Sequence, residues 1–184
     1  GLIVPTRGRV FHDNTDITGQ RPFQVARQGI GRTFQHTRIV MDLTAAENVI
    51  LASPSLTSSL SGMMLMPSWK RRRLAVDAAD WLARVGLGGR EDDRGSDLSY
   101  AEQKLVMLAC LLASGARTLL LDEPTAGLDP GSRRRIVETV AGLRAPGVTI
   151  VLVEHNLDVV RGLCDRIVFL AEGRVITEGT AAEI

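Results

Sequence analysis

The sequence predicts an α/β fold, a parallel sheet whose strands are joined by helices, with a mostly helical stretch in its middle. Two observations carry this expectation. Past residue 98, the wholly apolar runs 118–121 and 148–153 alternate with helical patterns, as parallel strands covered on both faces do. Each run also ends in polar chemistry: Asp122-Glu123-Pro124 after the first, Glu154-His155 after the second. An unpaired buried charge is costly, so these groups belong at exposed strand ends. In open parallel sheets the carboxyl edge is where ligands bind.

Taken in order, residues 8–11 read as a short extended run, and Asp13-Asn14 supplies the positive φ angles of a tight turn. Pro22 to Gln28 reads as a short helix with proline in its first turn, stopped by Gly29. Ile30 to Gln35 is extended again. Thr44-Ala-Ala-Glu47 has capping-box spacing, so a helix starts there and runs through Leu51. Residues 53–68, rich in Ser, Pro and Gly and carrying Met63, Met64 and Met66, read as an irregular connection. Lys70 to Arg73 opens a helix whose apolar residues recur at helical spacing as far as Gly86. A polar linker, 88–97, follows. Helices are expected from Ser99 to about Leu112, from Asp129-Pro130 to about Leu143, and from Asn156 to about Leu163. Residues 166–170 and 174–177 pair as a hairpin around Gly173.

Composition excludes several functions. Lys and Arg number 22 against 21 Asp and Glu, so no field of one sign calls for nucleic acid or a membrane surface. The longest apolar run, near 106–113, is far below the ~20 residues a membrane span needs. Cys110 and Cys164 lie far apart within apolar helical patterns and read as reduced core thiols. Trp69 and Trp81 read as packing residues, and Lys70 to Arg73 as a solvated helix start.

The chemistry-bearing positions have two readings each. Asp122 can hold Mg²⁺, since hard cations prefer oxygen ligands, and Glu123 can orient or deprotonate a water. His155 can donate to a phosphoryl oxygen. The plainer alternative for Asp-Glu alone is helix capping or surface polarity. Ser99 with Glu102 is a capping box, which by itself explains both residues; a helix start with free N–H groups is equally an anion site.

The ordered set of motifs resembles an ABC-transporter nucleotide-binding subunit. Arg32-Thr-Phe-Gln35 resembles the Q-loop, Leu98 to Lys104 the ABC signature, and Leu119 to Glu123 the Walker B strand. Ala126-Gly-Leu-Asp129 resembles the D-loop and His155 the switch histidine. The wording of 29–35, the Leu-Ser-Tyr start of the signature, Ala126-Gly-Leu and Glu154-His155 are similar to the LivG branch, which serves branched-chain amino acid import. The resemblance implies a P-loop NTPase-like ABC ATPase domain over 1–184, with a helical subdomain at about 44–114 and antiparallel β and RecA-like α/β parts elsewhere. It implies ATP and Mg²⁺ as cofactors. Asp122 and Gln35 would hold the metal, Glu123 would be the catalytic base, and His155 would act at the γ-phosphate. Gln35, Ser99, Ala101, Glu102 and Asp129 would belong to the nucleotide site, with Ser99 and the Ala101 backbone facing ATP held by an opposite subunit. A second ATP-binding subunit and membrane permeases would be direct partners, and a periplasmic binding protein an indirect one. The place would be the cytoplasmic face of the inner membrane.

Two departures from that pattern matter. The phosphate-holding motif G-x-x-x-x-G-K-[ST] occurs nowhere: the only lysines are Lys70 and Lys104, preceded by Trp69 and Gln103. The resemblance therefore implies a fragment, cut at its N-terminus after that motif and ending short of the family's usual tail, and without ATPase activity by itself. Position 101 is Ala where the signature has its second glycine, adding a methyl where phosphate must approach. Alternatives are the ATPase of a urea/amide importer or lipopolysaccharide exporter, or a non-hydrolysing subunit that lends its signature helix.

Overall fold

The computed structural model describes residues 3–33, 39–54 and 67–184. Gln35, Met63, Met64 and Met66 lie outside them. The chain opens with a minimal antiparallel hairpin, β1 (Phe11–His12) and β2 (Thr15–Asp16). Asp13 and Asn14, at φ 46° and 61°, make its turn as their side chains allow. The extended run is shorter than the sequence suggests, since only Phe11 of residues 8–11 pairs. Helix α1 (Pro22–Arg27) leads through Gly29, at φ 82°, into strand β3 (Ile30–Arg32).

Among the described residues, three helices intervene before the next strand. Helix α2 (Ala45–Ala52) begins in a complete capping box, Thr44 accepting from the Glu47 amide and Glu47 accepting from the Thr44 amide. Helix α3 (Ser68–Arg84) begins two residues before Lys70, with Pro67 at its N-cap. It ends in a Schellman motif: the Leu87 amide donates to the Leu82 carbonyl at 2.8 Å and the Gly86 amide to Ala83 at 3.0 Å. Leu82 and Leu87 are both essentially inaccessible, the hydrophobic contact that accompanies this cap. A 3₁₀ turn (Gly95–Asp97) precedes α4 (Tyr100–Ala113). Ala45 and Val49 of α2, Ala78 and Leu82 of α3, and Leu105, Leu108 and Ala109 of α4 belong to one buried cluster, which draws the three helices together.

Strand β4 (Thr118–Asp122), helix α5 (Pro130–Gly142), strand β5 (Thr149–Val153) and helix α6 (Leu157–Leu163) complete the sheet region. A hairpin of β6 (Ile167–Ala171) and β7 (Arg174–Gly179) follows. The central sheet is parallel with order β3-β4-β5; Gly31 lies opposite Leu119, and Asp122 opposite Val153. The first hairpin is tied to this sheet by His12 Nε2 and Thr118 Oγ1, 2.9 Å apart. Leu119 and Leu121 of β4 point to one face and are fully buried against Ile136 and the α4 side chains. Gly31 permits this packing, because a Cβ there would lie 2.4 Å from Leu111 Cδ1 and 2.9 Å from Ala116 Cβ.

Coverage of both sheet faces does not hold for β5. Val151 and Val153 are 47% and 56% exposed, alternating with partly buried Ile150 and Leu152. The reason is positional: β5 is an outer strand, and among the described residues nothing packs over its second face. The β6–β7 hairpin likewise exposes Phe169, Leu170, Val175 and Ile176. Trp81 packs against the core as read, but Trp69 does not; it stands in solvent at the start of α3.

Both cysteines are free thiols, packed against the core. Burial pushes the Cys110 thiol up to about 12. At about pH 8 it is almost wholly protonated and inert, because the thiolate is the nucleophile. Alkylation of the native protein followed by mass spectrometry is expected to leave Cys110 unmodified until denaturant is added. Rapid native labelling at Cys110 would contradict this packing.

Candidate functional site

The site grows from the carboxyl edge of the parallel sheet. Because β3, β4 and β5 run the same way, Thr33, Asp122-Glu123 and Glu154-His155 all emerge at one edge. Gln35 follows Thr33 by two residues in sequence and lies outside the described residues. On the far side of 34–38, the chain is held by Asn48, buried on α2. Its Oδ1 accepts from the Val40 amide at 2.7 Å, and its Nδ2 donates to the Val40 and Thr44 carbonyls.

Asp122 is the last residue of β4. Its amide donates to Thr33 Oγ1 at 3.1 Å, and its carboxylate meets Arg32 Nη2 at 2.9 Å. Arg32 and Asp122 are 46% and 28% exposed, so this pair is partly screened and its main effect is orientation. Glu123 begins the turn off the strand at φ 45°, a left-handed conformation unusual for a non-glycine residue. Three backbone contacts hold it there. Its amide donates to the Val153 carbonyl at 2.9 Å, and its carbonyl accepts from the Ala126 amide at 3.1 Å and from Lys104 Nζ at 3.4 Å. Lys104, buried on α4, also lies over the Tyr100 ring at 5.1 Å.

Thr125 joins the two strand ends. Glu154 Oε1 accepts from the Thr125 hydroxyl at 2.5 Å and from the Thr125 amide at 3.0 Å. Thr125, two residues past Glu123, thus ties the two strand ends together by hydrogen bonds across the gap between them. His155 is exposed beside Glu154.

The other predicted residues sit at helix starts. Ser99 is the N-cap of α4, and the capping box is complete: its amide and hydroxyl donate to Glu102 Oε2 at 2.9 and 2.7 Å. Glu102 also accepts from Arg90 Nη1 at 2.8 Å. Partial burial pushes its carboxyl up, yet the Ser99 bonds and Arg90 prevail and hold it below its ordinary value. Ala101 is the second residue of α4 and half-buried. Gln103, which the sequence reading passed over, is buried and donates to the Gly95 and Leu98 carbonyls, fixing the turn that delivers Ser99. Asp129 caps α5, its Oδ1 accepting from the Gly131 and Ser132 amides; the Ser132 bonds, with Gly131, hold its carboxyl low.

Arg32, Lys104, Thr125 and Gln103 are the positioning residues that sequence reasoning missed. Arg32, Lys104 and Thr125 act on groups 90, 19 and 29 positions away, and Gln103 on carbonyls eight and five residues before it. Only Lys104 left a signal, as a cation within an otherwise apolar helix face.

The chemistry of this donor set fits half of a magnesium–nucleotide site. Asp122 offers a hard oxygen ligand, but among the described residues no three His, Cys, Asp or Glu groups converge to hold a metal alone. Mg²⁺ typically takes one or two carboxylates and completes its shell with water and phosphate oxygens, so one aspartate suits it. Nothing in the 184 residues supplies a phosphate loop.

The parallel α/β fold is that of the P-loop ATPase class. Residues 1–126 match the ABC transporter family. The Escherichia coli (strain K12) high-affinity branched-chain amino acid transport ATP-binding protein LivG is 35% identical, over all of this chain and 74% of its own length. The Bradyrhizobium diazoefficiens methionine import ATP-binding protein MetN is 36% identical, over all of this chain and 51% of its own. Among solved structures, the dimeric post-hydrolysis state of the ATP-binding cassette MJ0796, bound to ADP and Pi, superposes with a TM-score of 0.78 at 27% identity, covering 98% of this chain and 76% of that one. The chain belongs to the ABC transporter family.

Proposed function

We propose that this chain is the ATP-binding subunit of an ABC importer for branched-chain amino acids, acting as part of a dimer docked on membrane permeases. The observation that carries the reading is the shared carboxyl edge, where Asp122, Glu123, Glu154 and His155 emerge from neighbouring parallel strands. Residues 1–184 form a partial nucleotide-binding domain, with about 44–114 as its helical subdomain. Asp122 and Gln35 hold Mg²⁺, which when bound neutralises charge on the phosphoryl group. Glu123 accepts a proton from the attacking water, and its constrained backbone aims the carboxylate. His155, exposed at the same edge, donates to phosphate oxygen. Ser99, the Ala101 amide, Glu102 and Asp129 serve the nucleotide at the dimer interface, where α4 presents a helix start suited to an anion. No helix among the described residues is long and apolar enough to cross a membrane. Attachment to the cytoplasmic face of the inner membrane is peripheral, through the permeases.

LivG and BraF, both branched-chain amino acid transport proteins, are matched over 74% of their length against 51% for MetN, which favours those substrates over methionine, urea or a lipopolysaccharide. The test is uptake of labelled leucine and methionine in cells whose own copy of the gene carries Glu123→Gln. Leucine uptake is expected to fall at least about a hundredfold, the scale of losing general-base catalysis, with methionine uptake unchanged. Normal leucine uptake would overturn the assignment. The isolated 184-residue chain, lacking a phosphate loop, is expected to show no ATP turnover above its Glu123→Gln form. Clear Glu123-dependent turnover would overturn the view that the phosphates are held by other residues.

A further inference from the structure

Helix α3 has two opposed faces. Leu74, Ala78 and Leu82 turn into the core. Trp69, Arg72, Arg73 and Val76, spaced i, i+3, i+4 and i+7, form one stripe on the far side and line a single surface groove. Trp69 is 68% exposed and Val76 55%. Four consecutive cations, Lys70 to Arg73, occupy the first turns of the helix. The macrodipole disfavours positive charge there, and no acidic residue sits in the first turn to offset it. Elsewhere Arg9, Arg32, Arg90, Arg144 and Arg166 each face a carboxylate. Among the described residues, none of Lys70, Arg71, Arg72 and Arg73 forms an ion pair. An exposed indole and four cations at the wrong helix end cost stability and gain no ion pair among the described residues.

We propose that this stripe is a contact surface for an anionic phospholipid bilayer. The guanidinium groups of Arg72 and Arg73 meet lipid phosphates, the Trp69 indole sits at headgroup depth, and Val76 faces the acyl boundary. Clusters of four or more basic residues beside an interfacial aromatic are the chemistry by which peripheral surfaces read anionic lipid. A nucleic acid would require a longer basic track, whereas Asp77 and Asp80 close this one within the next two turns, and net charge is only +1. The inference stands apart from the transport reading, because it needs neither nucleotide nor permease.

The test is co-flotation of the full 184-residue chain with vesicles. Binding is expected to phosphatidylglycerol-containing vesicles over pure phosphatidylcholine, and to weaken at high salt. Each basic residue near an anionic surface is worth roughly fivefold in partitioning, so Arg72→Glu with Arg73→Glu should lower binding by more than about tenfold. Trp69→Ala should weaken it less. These positions are exposed, and circular dichroism checks that each variant keeps its helices; Arg72→Gln with Arg73→Gln provides a milder pair with a smaller loss. Equal binding to both vesicle types would overturn the proposal, because the exposed valines of β5 would then account for it. Unchanged binding by the Glu pair would also overturn it, as would a preference for duplex DNA over vesicles that the Glu pair abolishes.

Discussion

Leu105→Ala is expected to lower the unfolding free energy by about 3–5 kcal/mol, which for an ordinary domain is about a fifth or more of the whole. Leu105 is fully inaccessible on α4 and belongs to the cluster shared by α2, α3 and β4. Truncation removes the transfer free energy of three carbons and leaves a cavity that two helices and a strand cannot close together. The loss falls on the signature region, since Leu105 lies one helical turn beyond Ala101 and directly after Lys104. A urea titration checks it: the midpoint should drop while the slope stays constant, because the exposed area of the unfolded chain is unchanged. A loss below about 1 kcal/mol would mean that α4 is not packed as described. Ala substitution at exposed Val76, by contrast, should move the midpoint very little.

What the sequence disclosed and what it withheld divide along a physical line. Features decided by neighbours in the chain were legible. Thr44 with Glu47 and Ser99 with Glu102 place capping boxes because Ncap and N3 are three residues apart in any helix. Asp13-Asn14 marks a turn because those side chains tolerate positive φ. The common edge of Asp122 and His155 followed from two apolar runs ending alike, given a parallel sheet. Features decided across space were not legible. The Arg32–Asp122 pair spans 90 positions and the Lys104–Glu123 contact 19. The continuous apolar run 148–153 suggested coverage on both faces, yet composition says what a strand can bury, not what lies beside it. Trp69 misled for a similar reason: an aromatic at helical spacing does not announce which side of the helix faces the core.

Thr125→Val should cost about 2–3 kcal/mol, the range for a hydrogen bond to an ionised group, although it keeps size and backbone. Thr125 is only 4% exposed, and its hydroxyl gives Glu154 Oε1 the shorter of its two bonds. The other oxygen, Glu154 Oε2, is buried with no hydrogen-bond partner among the described residues. A carboxylate already short of donors then loses another, and valine offers nothing in return. Because this link holds the turn after Asp122-Glu123 against the end of β5, local order should fall with global stability. Amide exchange at Thr125 and Ala126 should quicken more than exchange in α3, which the change does not touch. Thr125→Ser retains the hydroxyl and should recover most of the loss. A cycle with Glu154→Gln separates the pair's coupling from the cost of stranding a charge, and a coupling of about 1 kcal/mol or more is expected for groups in direct contact. If Val and Ser variants were equally stable and exchanged alike, Glu154 would not be fixing the turn, and the alignment of Glu123 would rest on its other contacts, those to Val153, Ala126 and Lys104 among them.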